Sequence, residues 1–334
     1  MQSPITGKEM LLKFEQRALE FRKETFEVAY HFYLCEESGE QFTTTELDEL
    51  NMSQLYNQYR EKHKLPFPDE IKAIREKYGL PATKMSEVLG FGINSYRNYE
   101  NGEVPSLSNG RLVQLADDPE KFLELVKLAD VLEGNTRNKL IKRIEGLIPD
   151  RPGQIFFFGL QDYLLGDYIS DRFSGYRRPD IDRLTEMVVY FSERLKPFTT
   201  KLNKLLFYAD FKAFKLTGQS MSGARYRAID RGPVPNNFHS IFEYMANNGA
   251  IAIDHVEFPG GYEGEQFHPV PGRVFDPEMF TDQERKVLEK IADHFKNVST
   301  VEAIEMSHKE KAWVENEKER EMISYIDYAF GLSI

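Results

Sequence analysis

The chain has 334 residues, long enough for two or three domains, and 41% of them are hydrophobic and 13% aromatic, the composition of a folded globular protein. No apolar run approaches the roughly 20 residues of a membrane span, and Met1-Gln-Ser-Pro-Ile opens no apolar leader, so a cytoplasmic protein is expected. A single cysteine, Cys35, excludes an internal disulfide, and the net charge of −11 argues against wholesale nucleic-acid binding while favouring a basic protein partner.

In chain order, residues 1–42 alternate apolar and polar with a period near two, as in Phe26-Glu-Val-Ala-Tyr-His-Phe-Tyr-Leu, and predict a small antiparallel sheet with Glu37-Ser-Gly-Glu as a turn. Its expected core is Phe14, Leu19, Phe21, Phe26, Tyr30 and Tyr33. Thr43 to His63 reads as a helix capped by Thr44 or Thr45, with Leu47, Leu50, Leu55 and Tyr59 at helical spacing. Short helices punctuated by Gly and Pro fill 66–129. A connector over 131–180 begins with a charged helix and ends in the turn-rich Gly175-Tyr-Arg-Arg-Pro-Asp. From 181 to 334 the pattern is mainly helical. Thr281-Asp-Gln-Glu284 and Ser299-Thr-Val-Glu302 fit capping boxes, and Ala250 to His268 reads as a hairpin. The expected fold is therefore mainly α with a small N-terminal antiparallel β module. Its segments are 1–65, 66–130, 131–180 and 181–334.

Within 66–130, Ile71 to Leu80 predicts a helix primed by Pro68-Asp69 and ended by Gly79. Thr83 caps a second helix through Leu89, Gly90-Phe-Gly92 supplies a tight corner, and Ile93 to Glu100 forms a third helix that Gly102 and Pro105 close. This is the plan of a helix-turn-helix. On a 3.6-residue period Ile93 and Tyr96 face the core, while Asn94, Ser95, Arg97 and Asn98 project outward, residue types that suit a major groove. Residues 70–101 hold five basic and four acidic side chains, so DNA binding requires Lys72, Arg75, Lys84 and Arg97 to share one face.

Gly90-Phe-Gly-Ile-Asn-Ser-Tyr-Arg-Asn-Tyr-Glu-Asn-Gly102 resembles the Xre-type helix-turn-helix of MqsA-like antitoxins. The resemblance implies operator DNA as a partner, with the family's base-reading Asn at Asn94; its base-reading Arg falls at Asn98, one residue beyond Arg97. The family's zinc-binding Cys-x-x-Cys pairs correspond to Ser3 and Thr6 and to Cys35 and Ser38. Three of four thiols are thus hydroxyls, and neither zinc nor any other cofactor is expected. Cys35 reads as an ordinary half-buried thiol.

Lys201 to Asp210, Thr217 to Tyr226, Arg231-Gly-Pro-Val-Pro235 and Ser307-His308 with Trp313 together resemble the Panacea (SocA-like) antitoxin domain. The resemblance implies a mostly helical domain that binds a cognate protein toxin. Leu202, Leu205, Leu206, Ala209 and Ala213 form a core stripe, and Gly232-Pro-Val-Pro reads as a rigid turn. Tyr208, Tyr226, Pro233, Val234, Pro235, His308 and Trp313 are the candidate toxin contacts. His239, His255, His268, His294 and His308 lack metal-ligand spacing, and no phosphate loop or Gly-x-Ser-x-Gly elbow is present, so no enzyme is expected. The reading is a type II antitoxin that neutralises a toxin through its C-terminal domain and represses its own operon, as a homodimer through the N-terminal half. A proteolysis adaptor or a prophage-type regulator without a toxin would share these features.

Overall fold

A computed structural model describes residues 1–129, 134–148, 160–258 and 262–334. The chain divides into two compact units, Met1–Phe158 and Gly159–Ile334. As the sequence pattern requires, it is mainly helical with a small N-terminal antiparallel sheet.

The first unit opens with a hairpin of β1 (Leu11–Phe21) and β2 (Glu24–Leu34), in register from Leu11 opposite Leu34 to Phe21 opposite Glu24. Its two-residue turn is Arg22-Lys23, both at positive φ (49° and 67°), the geometry that matches the twist of the strands. A short β3 (Gln41–Phe42) adds to the far end of β2. Helix α1 (Thr45–His63), capped by the Thr44 side chain, lies against β2, and Phe26 and Val28 from the strand meet Leu55 and Tyr59 from the helix. Beyond β3, the outer edge of β2 is closed by helix side chains. Gln54 accepts from Ala29 N at 2.9 Å and donates to Ala29 O at 2.9 Å; Asn51 does the same to His31 at 2.7 and 3.0 Å. Gln58 donates to Glu27 O at 2.7 Å. Each carboxamide presents one donor and one acceptor, so it pairs with a residue's main chain as a neighbouring strand would. The expected core is only partly right: Phe14 is 46% exposed, because β1 has α1 on neither face over most of its length.

Among the described residues, six helices follow in the unit: Pro68–Tyr78, Ala82–Val88, Ser95–Glu100, Leu107–Leu115, Pro119–Leu128 and Gly134–Leu147. They share one core in which Tyr78 stacks on Phe122 at 4.0 Å between ring centres. Leu140 and Ile144 are buried in it, so the charged helix that opens the connector packs with the helices before it.

The second unit is built around the helix Thr199–Thr217, whose stripe Leu202, Leu205, Leu206, Ala209 and Ala213 is at most 1% exposed. Around it pack the helices Ile181–Leu195, Asp282–Phe295 and Thr300–Ser307. A three-stranded sheet of Gly232–Pro235, Tyr226–Ile229 and Met322–Ile323, in that spatial order, packs there too. Both expected capping boxes form: Thr281 with Glu284 (3.2 and 2.8 Å) and Ser299 with Glu302 (3.2 and 2.7 Å). The hairpin pairs Ile251–Phe258 with Tyr262–Pro269. Gly232-Pro-Val-Pro is not a surface turn. It is a buried edge strand, a place where proline is tolerated because its missing N–H faces away from the ladder. Among the described residues no helix is long and apolar enough to cross a membrane.

Candidate functional site

Among the helices Pro68–Tyr78, Ala82–Val88 and Ser95–Glu100, where the sequence plan expects a helix-turn-helix, Gly90 at φ +71° turns the chain out of the second. Phe91 N then bonds Ser86 O at 2.8 Å, and Tyr96 N bonds Ser86 Oγ at 3.0 Å, which fixes the angle between the second and third helices. The Tyr96 hydroxyl reaches Ile71 O at 2.7 Å and pins the third helix to the first. Thr83 does not cap the second helix; Pro81 precedes it and the helix starts at Ala82. The third helix starts at Ser95, not Ile93, with Asn94 as its first flanking residue. That shift leaves Ile93 outside the helical period, and it is 61% exposed where the sequence placed it in the core.

Asn94, Arg97 and Asn98 are exposed, Ser95 is half-buried, and Arg97 and Asn98 make no side-chain hydrogen bond or ion pair among the described residues. Lys72 is exposed and lies 3.9 Å from Glu76; Lys84 is half-buried and pairs with Glu87 at 2.7 Å. Arg75 is not available to DNA. Its guanidinium holds Glu100 at 2.5 and 3.3 Å and Leu80 O at 3.0 Å, and the Glu100 bond raises its affinity for its proton. It braces the first helix against the third.

The four positions that the resemblance aligns with zinc-binding thiols, Ser3, Thr6, Cys35 and Ser38, converge. Ser3 Oγ accepts from Ile5 N (3.2 Å) and Thr6 N (3.3 Å), Thr6 Oγ1 lies 3.5 Å from Cys35 Sγ, and Gly39 N closes the second turn on Cys35 O at 2.8 Å. Cys35 is 2% exposed, so it is buried and not half-buried. Hydrogen bonds from Ser3, Ser38 and Thr6 pull its thiol down to about 6. One thiol and three neutral hydroxyls do not fit structural zinc, which takes four thiolate or imidazole ligands.

In the second unit, Tyr208 and Tyr226 are fully buried, which removes them as toxin contacts. The Tyr208 hydroxyl donates to Glu310 at 3.3 Å and that of Tyr226 to Asp210 at 2.8 Å. Buried phenols are kept by such partners, and burial pushes both groups' pKa upward. Asp210 also accepts from Met221 N (2.8 Å), Ser222 N (2.9 Å) and Ser222 Oγ (2.6 Å). The segment Thr217–Tyr226 is thereby wrapped onto the central helix, a role announced only by an Asp inside an apolar stripe. Pro233 and Pro235 are buried in their strand, so they too are withdrawn from the surface.

Val234 is 5% exposed but lines a cavity. His308 and Trp313 are half-buried and stack face to face, 3.7 Å apart and 7° from parallel, with Trp313 Nε1 donating to Ile229 O at 2.8 Å. Burial, reinforced by the Lys204 charge, lowers the His308 pKa.

The cavity beside Val234 has a volume of about 780 Å³. Sequence reading missed it and the two polar side chains on its floor, Asn203 and Lys204. Lys204 is fully buried, donates to Pro233 O at 2.9 Å, and is pushed down to about 7 by burial. Gly232, at φ +96°, makes room for it: a Cβ there would lie 2.7 Å from Lys204 Cε and 2.4 Å from Ser307 Oγ.

Residues 1–127 match the family model of MqsA, the antitoxin component of a bacterial toxin-antitoxin system, and residues 202–314 match that of the antitoxin SocA-like Panacea domain. No curated protein matches the chain. Both matches agree with the motifs whose geometry is given above, and both domains are of antitoxin families. The chain therefore joins an MqsA antitoxin domain over residues 1–127 to a SocA-like Panacea antitoxin domain over residues 202–314.

Proposed function

We propose that this chain is the antitoxin of a type II pair, which neutralises a protein toxin by direct binding through its C-terminal unit and represses its own operon through its helix-turn-helix. The observation that carries this reading is the pairing of two antitoxin domains in one chain, the first of which holds Asn94, Arg97 and Asn98 exposed on a braced helix. Neutralisation asks for a complementary surface and no chemistry. In this reading the protein acts in the cytoplasm as a homodimer through its N-terminal half, because helix-turn-helix proteins bind paired half-sites.

The test co-expresses the full chain with the growth-arresting protein encoded beside it. Restored growth with the toxin accumulating in a complex supports direct neutralisation. Restored growth with loss of the toxin replaces it by delivery to a protease, and no rescue ends the reading. In a gel shift on the DNA upstream of its own coding sequence, Arg97→Ala with Asn98→Ala should weaken binding about tenfold or more and leave neutralisation intact.

A further inference from the structure

The central helix of the second unit buries two polar side chains in succession, and neither is fully used. Asn203 is 2% exposed, and its Oδ1 has no hydrogen-bond partner. A buried acceptor with no donor in its own chain is met by water or by a bound partner. Lys204, beside it, has three donors and gives one to Pro233 O. Both line the 780 Å³ cavity, so an unmet acceptor and spare donors meet in one open-mouthed pocket.

The remaining walls restrict what fits. Phe198 and Phe258 pack 5.3 Å apart over Gly264, where a Cβ would come within 3.0 Å of Phe258 and 3.2 Å of Phe198. The absence of a side chain at Gly264 thus lets two rings form an apolar wall. At the rim, Arg231 is offset by Glu263 and Glu265, which leaves no net positive field for a phosphate. Donor, acceptor, apolar wall and balanced charge together match a peptide main chain, which offers an N–H and a C=O at every residue. The first unit holds the same recognition within one chain, where Asn51 and Gln54 each clasp the N–H and C=O of a strand residue.

We propose that this cavity is the docking site for an extended segment of the protein partner, with Asn203 accepting from its main-chain N–H, Lys204 donating to its carbonyl, and Phe198 and Phe258 holding an apolar side chain. The proposal rests on the reading of the C-terminal unit as a toxin binder and names the part of that unit that binds.

The test measures calorimetric affinity of the purified, growth-arresting neighbouring protein for the full chain, for Asn203→Leu and for Phe258→Ala. Phe258 is 41% exposed, so its variant folds even if the other does not. Both variants should bind about tenfold more weakly or worse. Asn203→Leu should melt no lower than the unaltered chain, because it removes an acceptor that has no partner in the free protein. Overlapping short peptides from the toxin should include one that binds the unaltered chain and not Asn203→Leu. Unchanged affinity in both variants would overturn the proposal and leave toxin binding standing, as would binding by the intact toxin with no active peptide. No binding by the unaltered chain would remove the underlying reading as well.

Discussion

Single residues show most clearly how burial redefines a polar side chain. Tyr208 and Tyr226 are candidate toxin contacts in the sequence, yet each is held in the core by a carboxylate that no local pattern connects to it. Asp210 lies in the same helix as the stripe it interrupts, while its partners Ser222 and Tyr226 come from a separate segment. Such long-range satisfaction is invisible in periodicity.

Cys35 differs again. Its environment was legible as a degenerate metal site, but the consequence for the thiol was not, because it depends on three hydroxyls converging from two turns. With its pKa at about 6 in the fold, against an ordinary value of about 8.5, the folded chain binds fewer protons than the unfolded chain between those values. The stabilisation from the thiolate is complete above the upper value and is lost as pH falls through the lower one. Across that window the urea midpoint of the protein should therefore climb with pH relative to Cys35→Ser. Parallel midpoints for the two would show that the hydroxyls do not favour the thiolate.

Among elements, those fixed by local chemistry were legible and those fixed by tertiary contacts were not. Both C-terminal capping boxes, the Thr44 cap and the hairpin Ile251–Pro269 follow from signals within a few residues. Gly232-Pro-Val-Pro carries strong turn signals but is taken up as an edge strand, because Lys204 and Ser307 pack under Gly232 and the strand Tyr226–Ile229 pairs beside it. In the helix-turn-helix, a start two residues later than its pattern suggests was enough to turn Ile93 outward. Charge alone marks Arg75 as a DNA contact, whereas Glu100, two helices on, takes up its guanidinium.

The two N-terminal turns bring together Ser3, Thr6 and Cys35, with Ser38 beside them, the positions that the resemblance aligns with metal-binding thiols. Ser3→Cys, Thr6→Cys and Ser38→Cys together with Cys35 would restore the spacing Cys-x-x-Cys twice. This triple variant should retain about one zinc per chain and melt higher, with EDTA reversing the gain. Cobalt substitution would report tetrahedral thiolate coordination. Failure to hold metal would mean that the turns have moved apart as well as losing their thiols.

For the molecule as a whole, two compact units carry the two family matches, and the net charge of −11 is carried by a chain whose helix-turn-helix region is close to charge-balanced. In the proposed reading, that acidity leaves any DNA contact to a few exposed side chains and favours encounter with a basic protein. The architecture class was legible because it follows from hydrophobic period. The cavity was not, since Asn203, Phe198 and Gly264 meet only when a helix and a hairpin pack together.

The amide clasp between α1 and β2 also makes a clock for local opening. The Ala29 and His31 N–H groups are bonded to the Gln54 and Asn51 side chains, so they meet solvent when α1 lifts away. In hydrogen–deuterium exchange these two amides should share one opening free energy, distinct from that of the amides paired with β1. Gln54→Ala should speed exchange at Ala29 by at least tenfold if the clasp is what protects it. The sheet thus records in its own isotope pattern how often the helix that completes it lets go.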